Sequence, residues 1–164
     1  MIQQKPSIKE DILFLLLKIA IFLILLFVMF FWVFGITRCN DNSMDPAFKD
    51  GDLAFYYRLQ KEYNNADVVV IEKDNGLQLR RIIAKAGDKV EISEEGLKIN
   101  GYLQKEANIY EETLPYVEGI SFPIEVPENE YFVLGDSRSN AKDSRIYGTV
   151  KIEEIKGGVM TLIR

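Results

Sequence analysis

One long apolar segment dominates the N-terminal part of the chain. Between Ile12 and Ile36 the only charged residue is Lys18, and the run from Ile19 to Ile36 is uncharged. At about 1.5 Å per helical residue, that run nearly spans a hydrocarbon core of ~30 Å. The segment is apolar on every helical face, unlike a surface helix of a soluble domain. The pattern predicts a transmembrane anchor over residues 12–36, with the Lys18 ammonium reaching the near headgroups.

Two other interpretations of this segment fit the following residues less well. A cleaved signal peptide has a shorter apolar core and a small-x-small cleavage site, whereas this segment leads into Phe-Gly-Ile-Thr-Arg-Cys-Asn. A lipoprotein signal has a small residue before its cysteine, and here Arg38 precedes Cys39. We therefore expect an uncleaved, single-pass anchor, with residues 1–11 as a cytoplasmic N-terminus and residues 38–164 as a separate domain.

The charges that flank the anchor bear on its orientation. Lys5 and Lys9 favour the N-terminal side in the cytoplasm, whereas Arg38 and Lys49 on the far side reduce the difference. This count alone only slightly favours an extracytoplasmic C-terminal domain.

Beyond Pro46 the pattern changes to short β-branched and aromatic runs separated by turn residues. The Val-Val-Val-Ile run at residues 68–71 suits a strand buried on both faces. Asn100-Gly101 is a strong two-residue hairpin signal, because both residues readily adopt positive φ. The predicted strands are Leu53–Leu59, Asp67–Glu72, Leu77–Ala84, Asp88–Ser93, Leu97–Ile99, Glu130–Leu134 and Gly158–Ile163.

The remaining long segment, residues 104–127, is irregular and acidic, and we expect it to form a surface excursion. Together, the strand pattern and the long connections predict a mainly β domain behind one N-terminal transmembrane helix. The expected architecture is a coiled, barrel-like sheet.

The composition excludes several classes of function. The formal net charge is −5, with most acidic residues beyond residue 40, so no basic stripe is available for nucleic-acid phosphates. The single cysteine, Cys39, rules out an internal disulfide and a cysteine-based zinc site. The chain has no histidine, which removes Ser-His-Asp catalysis and histidine metal ligands together. We expect no metal, no cofactor and no nucleic-acid partner, and any nucleophile needs another base.

Three short boxes follow the anchor in a fixed order. The first is S-M-D-P at residues 43–46, with Gly-Asp at 51–52. The second is R-R-I-I-A-K-A-G-D at residues 80–88. The third is G-D-S-R-S-N-A-K-D-S-R at residues 135–145, with Gly148 after it. Any one box is a weak signal. All three in this order behind an anchor resemble the S-M-x-P, K-R-x-x-G-x-P-G-D and G-D-N-R-x-N-S-x-D-S-R-x-x-G boxes of bacterial type I signal peptidases, peptidase S26.

This resemblance, which covers essentially the whole chain, implies a serine endopeptidase in which a neutral lysine is the general base. Ser43 stands at the position of the nucleophile, but Arg80 stands where the family has the lysine. Burial can lower a lysine pKa enough for this role. A guanidinium has a pKa above ~12 and stays charged, so it cannot take the serine proton. The resemblance therefore implies a degenerate Ser–Lys dyad.

Two further departures affect the same site. Ala141 replaces a family serine that hydrogen-bonds the catalytic lysine, so its loss matches the loss of the lysine. Asp41 replaces a small or hydroxyl residue beside the pocket for the developing oxyanion, where a carboxylate repels negative charge. An alternative hypothesis for Asp41 is a direct ion pair with Arg80.

Two other lysines, Lys85 and Lys142, are candidates for a substitute base. Lys85 lies five residues after Arg80, so on a strand its side chain would lie on the face opposite to that of Arg80. Lys142, next to Ala141, has the character of a solvated loop charge. The spacing favours neither lysine as the base.

Other parts of the family pattern are kept. Asp143 and Arg145 match its Asp-Ser-Arg, where the pair supports the catalytic region electrostatically. Met44, Phe48 and Leu79 match positions that line the shallow pocket for small residues before a cleavage site. Ordinary core packing explains these three apolar residues equally well.

The resemblance leads to two main functional hypotheses. A pseudoenzyme would bind rather than cut, as do signal-peptidase-like accessory factors of Gram-positive pilus assembly, with a signal peptide or a pilin or sortase-type secreted protein as partner. An active type I signal peptidase needs a rescuing base: a neutral amine or a water-bridged carboxylate within ~3 Å of the Ser43 hydroxyl. A third candidate, a self-cleaving LexA-like Ser-Lys regulator, shares the β architecture but has no membrane anchor.

Overall fold

The computed structural model describes residues 8–74, 76–107 and 109–164, and the chain divides into two compact units. The first unit contains helix α1, Ile8–Val33. Among the described residues, α1 is long and apolar enough to cross a membrane. Its most apolar window has a mean hydropathy of 3.2, and no residue of that window is buried. Its 26 residues extend about 39 Å. Of the predicted N-terminus 1–11, residues 1–7 lie outside the described residues.

The ends of α1 differ from those of the predicted anchor, residues 12–36. The helix already includes Glu10 and Asp11 in its first turn, where acidic side chains interact favourably with the helix dipole. It ends at Val33, and Phe34–Arg38 form strand β1 instead. The glycine and β-branched residues of β1 have lower helix propensity than the leucines before them, which accounts for the earlier end.

The second unit, residues 35–164, contains two antiparallel sheets. After β1 the strands are β2 Leu53–Tyr57, β3 Val68–Lys73, β4 Gly76–Lys85, β5 Lys89–Ser93, β6 Gly96–Ile99, β7 Tyr102–Leu103, β8 Ile124–Glu125, β9 Glu130–Leu134, β10 Val150–Lys151 and β11 Ile155–Ile163. A short helix, α2 (Ser144–Tyr147), and a 3₁₀ turn, Ile152–Glu154, precede the last strand. The larger sheet has the strand order β1-β2-β11-β3-β4-β9-β10, and the smaller has the order β7-β6-β5-β8. The predicted mainly β class is confirmed.

The seven predicted strands all occur, with ends shifted by a few residues. The hairpin at Asn100-Gly101 is confirmed: Ile99 pairs with Tyr102, and φ is +53° at Asn100 and +83° at Gly101. The pattern did not predict β1, β7, β8 and β10. The last three contain two residues each, too few to show a periodicity, and β1 begins inside the apolar segment.

Strand β3 lies at the centre of the larger sheet and is buried on both faces, as its Val-Val-Val-Ile run predicts. Val69, Val70 and Ile71 are fully buried. Ala84 of strand β4, beside it, belongs to the same buried hydrophobic cluster as Val90 of the smaller sheet. Because its neighbours are buried, β4 is a rigid support for the side chains that it presents.

Candidate active site

Ser43 lies in a closed turn between β1 and β2. Backbone hydrogen bonds from Cys39 N to Asp52 O at 2.8 Å and from Gly51 N to Cys39 O at 2.9 Å close this turn. Ser43 is 3% exposed, and its carbonyl accepts a hydrogen bond from Ser137 N at 3.0 Å. The first and third boxes are therefore in direct contact.

Arg80 reaches the Ser43 hydroxyl from strand β4. Its Nη1 donates to Ser43 Oγ at 2.9 Å and to the Leu79 carbonyl at 2.5 Å. Its Nε and Nη2 donate to the Lys142 carbonyl at 3.1 and 2.7 Å. Arg80 is 2% exposed, and among the described side chains no carboxylate forms an ion pair with it. A buried guanidinium thus faces the serine as a hydrogen-bond donor, at the position where the resemblance places a base.

Asp41 contacts the same serine from the N-terminal side. Its Oδ1 accepts hydrogen bonds from Ser43 N at 3.0 Å and from Ser43 Oγ at 2.5 Å. Asp41 is exposed at the surface, whereas Ser43 and Arg80 are buried. The Ser43 hydroxyl therefore donates to a carboxylate and accepts from a guanidinium.

The direct ion pair between Asp41 and Arg80 that we considered is not formed. The Ser43 hydroxyl lies between the two charged groups and makes one hydrogen bond to each. The physical reason is the difference in depth: the guanidinium is held inward by the Lys142 carbonyl, and the carboxylate stays at the surface.

Asp143 and Arg145 form an ion pair that is almost completely buried, with side-chain exposures of 0% and 2%. Asp143 Oδ1 accepts from the backbone N and Nε of Arg145 at 3.1 and 2.9 Å, which also caps α2. Asp143 Oδ2 accepts from Arg145 Nη2 at 2.8 Å and from Gly135 N at 3.1 Å. Both carboxylate oxygens are hydrogen-bonded, which offsets part of the free-energy cost of burying the two charges. The pair holds the loop that carries the Lys142 carbonyl, and so supports Arg80.

Ala141 is buried and lies beside Gly135, where an added Cβ would come within 2.2 Å of the Ala141 Cβ. The two lysines considered as substitute bases lie elsewhere. Lys85 is exposed at the end of β4, and the Lys142 ammonium pairs with Asp74 at 2.6 Å, so that only its carbonyl belongs to the site. In the described part of the chain, the hydrogen-bond partners of the Ser43 hydroxyl are Asp41 and Arg80, and no amine is among them.

Met44, Phe48 and Leu79 share one buried hydrophobic cluster with Cys39 and Ala54. Their exposures are 0%, 8% and 3%. In this structure they pack beneath the turn that carries Ser43 and do not form an open pocket. Contact between these residues and a bound peptide stays a prediction.

The acidic excursion is attached to the third box. Arg138 is 1% exposed; it pairs with Glu106 at 2.5 and 2.6 Å and also donates to Thr113. Glu111 accepts from Ser139 N at 2.7 Å, and this hydrogen bond lowers the pKa of Glu111. The excursion is therefore a braced part of the domain rather than a free loop.

Tyr116 makes the second attachment of the excursion. Its hydroxyl lies 3.1 Å from the Arg138 carbonyl and 3.0 Å from the Ala141 carbonyl. The Arg145 guanidinium lies 4.4 Å from the centre of its ring, within the range of a cation–π interaction. Sequence reasoning missed Tyr116, because nothing in an irregular segment indicates which aromatic residue folds back onto a distant loop.

Tyr147 is the other residue that sequence reasoning missed. Its hydroxyl is buried. Burial raises the pKa of Tyr147, and the charge and proximity of the Arg80 guanidinium act in the opposite direction. Its position directly before Gly148, just beyond the Asp-Ser-Arg of the third box, is the sequence feature that could have indicated a place near the site.

A cleft of about 580 Å³ opens near the turn that carries Ser43, although Ser43 itself does not line it. Pro46, Arg81, Tyr110 and Asp136 are among its lining residues. Arg81 donates to both carboxylate oxygens of Asp136, at 2.7 and 2.5 Å, and this contact raises the pKa of Arg81. No group of three or more Cys, Asp or Glu side chains in the described residues is arranged to hold a metal ion.

Comparison with known proteins gives one consistent result. A family model described as signal peptidase, peptidase S26, matches residues 12–163, which include all three boxes. A signal peptidase I from Bacillus licheniformis is 32% identical over 157 residues, covering 88% of this chain and 84% of that protein. A signal peptidase IB from Staphylococcus aureus (strain COL) is 30% identical over 171 residues, covering 92% of this chain and 88% of that protein. A crystal structure of a signal peptidase I from Enterococcus faecalis V583 is 28% identical, with a TM-score of 0.49, and covers 62% of this chain and 98% of that chain.

Proposed function

Because the chain belongs to the signal peptidase family, peptidase S26, we propose that it is a membrane-anchored member that binds a segment of an exported polypeptide without cutting it by Ser–Lys chemistry. The observation that carries this proposal is the hydrogen bond from Arg80 Nη1 to Ser43 Oγ at 2.9 Å. A general base must accept the proton of the nucleophile, and a guanidinium has no lone pair for it. The family lysine is thus replaced by a group that holds the serine in place.

Asp41 supports the same conclusion by a second mechanism. An oxyanion is stabilised by donors that are free to bind it when charge develops. The Ser43 N–H is such a donor, and here it is bonded to Asp41 Oδ1 at 3.0 Å. A carboxylate thus occupies the donor and also adds negative charge beside the place where negative charge would form.

The edge of β4 offers a place for an extended polypeptide. Residues Gly76–Arg81 pair with β3 along one edge, whereas the described pairing with β9 along the other edge begins at Arg81. The backbone of 76–80 therefore has one edge without a strand partner in the described structure, and this edge leads to the Ser43–Arg80 contact. An extended peptide can add a strand to such an edge through main-chain hydrogen bonds.

The partner and the orientation in this proposal follow from the relatives and from the resemblance. The relatives are named signal peptidases, so a signal peptide of a secreted protein is the general class of ligand. Resemblance to accessory factors of pilus assembly further leads us to propose a pilin or a sortase-type protein. In this proposal α1 crosses the plasma membrane once and residues 38–164 are extracytoplasmic.

A second candidate function, an active serine peptidase, is favoured by one observation. The Ser43 hydroxyl donates to Asp41 Oδ1 at 2.5 Å, so a carboxylate is in position to take its proton. Asp41→Asn distinguishes the two roles. An aspartate base predicts that this variant loses cleavage of a preprotein, whereas an aspartate that only blocks the site predicts no loss.

The binding function can be tested by site-specific photocrosslinking of the full-length protein in its native membrane. Leu77, which is 39% exposed on β4, is replaced by a photoreactive phenylalanine derivative, and this variant should capture an exported polypeptide. Replacement of Met160, 62% exposed on β11, by the same derivative is the matched control. Capture at Leu77 alone supports the proposal; no capture at Leu77, or equal capture at both positions, contradicts it.

A further inference from the structure

Two donors of Ser43 meet on a single carboxylate oxygen. Asp41 Oδ1 lies 3.0 Å from the Ser43 nitrogen and 2.5 Å from the Ser43 hydroxyl oxygen. The oxygen of a carboxylate bound in an anion site has the same partners, a backbone N–H and a hydroxyl. Here the chain itself supplies the carboxylate.

The surrounding charges favour an anion at this point. Arg80 lies directly behind the hydroxyl, with Nη1 2.9 Å from Ser43 Oγ, and it is buried without an ion-pair partner among the described residues. A buried cation without a direct counter-ion strengthens the binding of an anion nearby, because the effective dielectric constant is low. Arg80 also polarises the hydroxyl, which makes it a better donor.

Asp41 is held less firmly than the donors it contacts. It is exposed, and the described hydrogen bonds of its carboxylate are made by Oδ1 alone. Rotation of this side chain into solvent would leave the Ser43 N–H and O–H free. Ser43 itself stays fixed, because its carbonyl is bonded to Ser137 N and its hydroxyl to Arg80.

We propose that the Ser43–Arg80 site binds the C-terminal carboxylate of a polypeptide, and that Asp41 is the internal carboxylate which this ligand displaces. The proposal rests on the proposed function, since the β4 edge would align the chain that ends at Ser43. A free carboxylate accepts stronger hydrogen bonds than the neutral carbonyl of an uncut chain. The ligand would therefore be a polypeptide already released by another peptidase, and this protein would act after the cleavage step.

The test uses one extended peptide, made with a C-terminal acid and with a C-terminal amide, and full-length protein in detergent. Fluorescence anisotropy gives the affinity of each form. We expect the wild type to prefer the acid at least about fivefold, because charge-assisted hydrogen bonds are roughly twice as strong as neutral ones. Asp41→Asn should strengthen binding of the acid by about tenfold and binding of the amide much less, because the carboxylate that it removes repels only the charged acid.

Asp50→Asn is the matched control, because it removes the same charge from an exposed position of the same turn. It should change neither affinity. If the acid and the amide bind equally to the wild type and to Asp41→Asn, the carboxylate site is wrong while the binding function stands. If Asp50→Asn strengthens binding of the acid as much as Asp41→Asn does, the gain comes from the change in overall charge, and the proposed displacement of Asp41 is wrong. If neither peptide binds to any variant, the proposed function itself is contradicted.

Discussion

Arg80 donates a hydrogen bond to Ser43, with 2.9 Å between Nη1 and Oγ. The direction of this bond decides the chemistry of the site. A base at this position would accept the proton of the serine, whereas Arg80 directs a proton towards it. The guanidinium can stabilise negative charge on the oxygen but cannot create that charge. Under the proposed function, the contact holds Ser43 in place without activating it by the mechanism of the family.

Restoring the family residues should restore cleavage. In Arg80→Lys combined with Ala141→Ser and Asp41→Gly, the lysine supplies a base, the serine orients it, and the Ser43 N–H becomes free. A positioned general base contributes about 10²–10⁴ in rate. We expect the triple variant to cleave a preprotein at least about 100-fold faster than the detection limit set by the wild type, measured by gel in detergent.

Two comparisons control this experiment. Adding Ser43→Ala to the triple variant should abolish the gain. Arg80→Lys alone should increase the rate of cleavage much less, because Asp41 still accepts the hydrogen bond of the Ser43 N–H. An inert but folded triple variant would show that other parts of the site have also diverged from the family.

Removing the buried carboxylate of Asp143 should strongly destabilise the domain. Asp143→Asn leaves Arg145 with no counter-ion in a site where both side chains are at most 2% exposed. Breaking one partner of such a pair costs about 3–5 kcal/mol. The full-length protein should then unfold about 10 °C lower in a thermal scan followed by circular dichroism.

The control for Asp143 is Glu72→Gln, which breaks the exposed pair between Glu72 and Lys156. Exposed pairs contribute about 0–1 kcal/mol, so Tm should change little. Equal losses of Tm in the two variants would contradict the supporting role of the buried pair.

Much of the fold and part of the site follow from sequence pattern. The three boxes identify Ser43, Arg80 and Ala141, because their spacing is independent of the intervening loops. Strong alternation and a β-branched run predict the long strands, and Asn100-Gly101 predicts its hairpin from backbone preference alone. These features are local, so a single sequence is enough to predict them.

The remaining features depend on which distant groups come together. A direct Asp41–Arg80 ion pair is one of two hypotheses that the sequence allows for Asp41. The Ser43 hydroxyl lies between the two groups instead, and sequence spacing does not resolve a position to about 3 Å. Tyr116 and Tyr147 reach the site from an irregular segment and from a four-residue helix. Neither segment has a periodicity that indicates the direction of a side chain.

The stability of the domain should fall at alkaline pH partly through Tyr63. Burial raises the pKa of Tyr63 to about 12, and its hydroxyl donates to the Gln60 carbonyl at 3.0 Å. An unfolded tyrosine has a pKa of about 10. The neutral phenol therefore contributes its full stability below about pH 10, and this contribution is lost as the pH rises from 10 to 12. Tm measured across this range should fall less steeply in Tyr63→Phe than in the wild type.

Tyr102→Phe is the control for this pH dependence, since Tyr102 is 76% exposed. Its alkaline slope should match that of the wild type. If Tyr63→Phe also kept the full slope, the buried phenol would not be a source of the alkaline instability.

Cleavage of a preprotein is the most direct test of the proposal that Ser43 is held rather than activated. Purified full-length protein in detergent is incubated with a preprotein beside its Ser43→Ala variant, and the mature product is quantified. We expect no mature product from either protein, because Arg80 cannot accept the serine proton. Product formed by the wild type and lost in Ser43→Ala would contradict the account and would identify an active peptidase, with Asp41 as the first residue to test as its base.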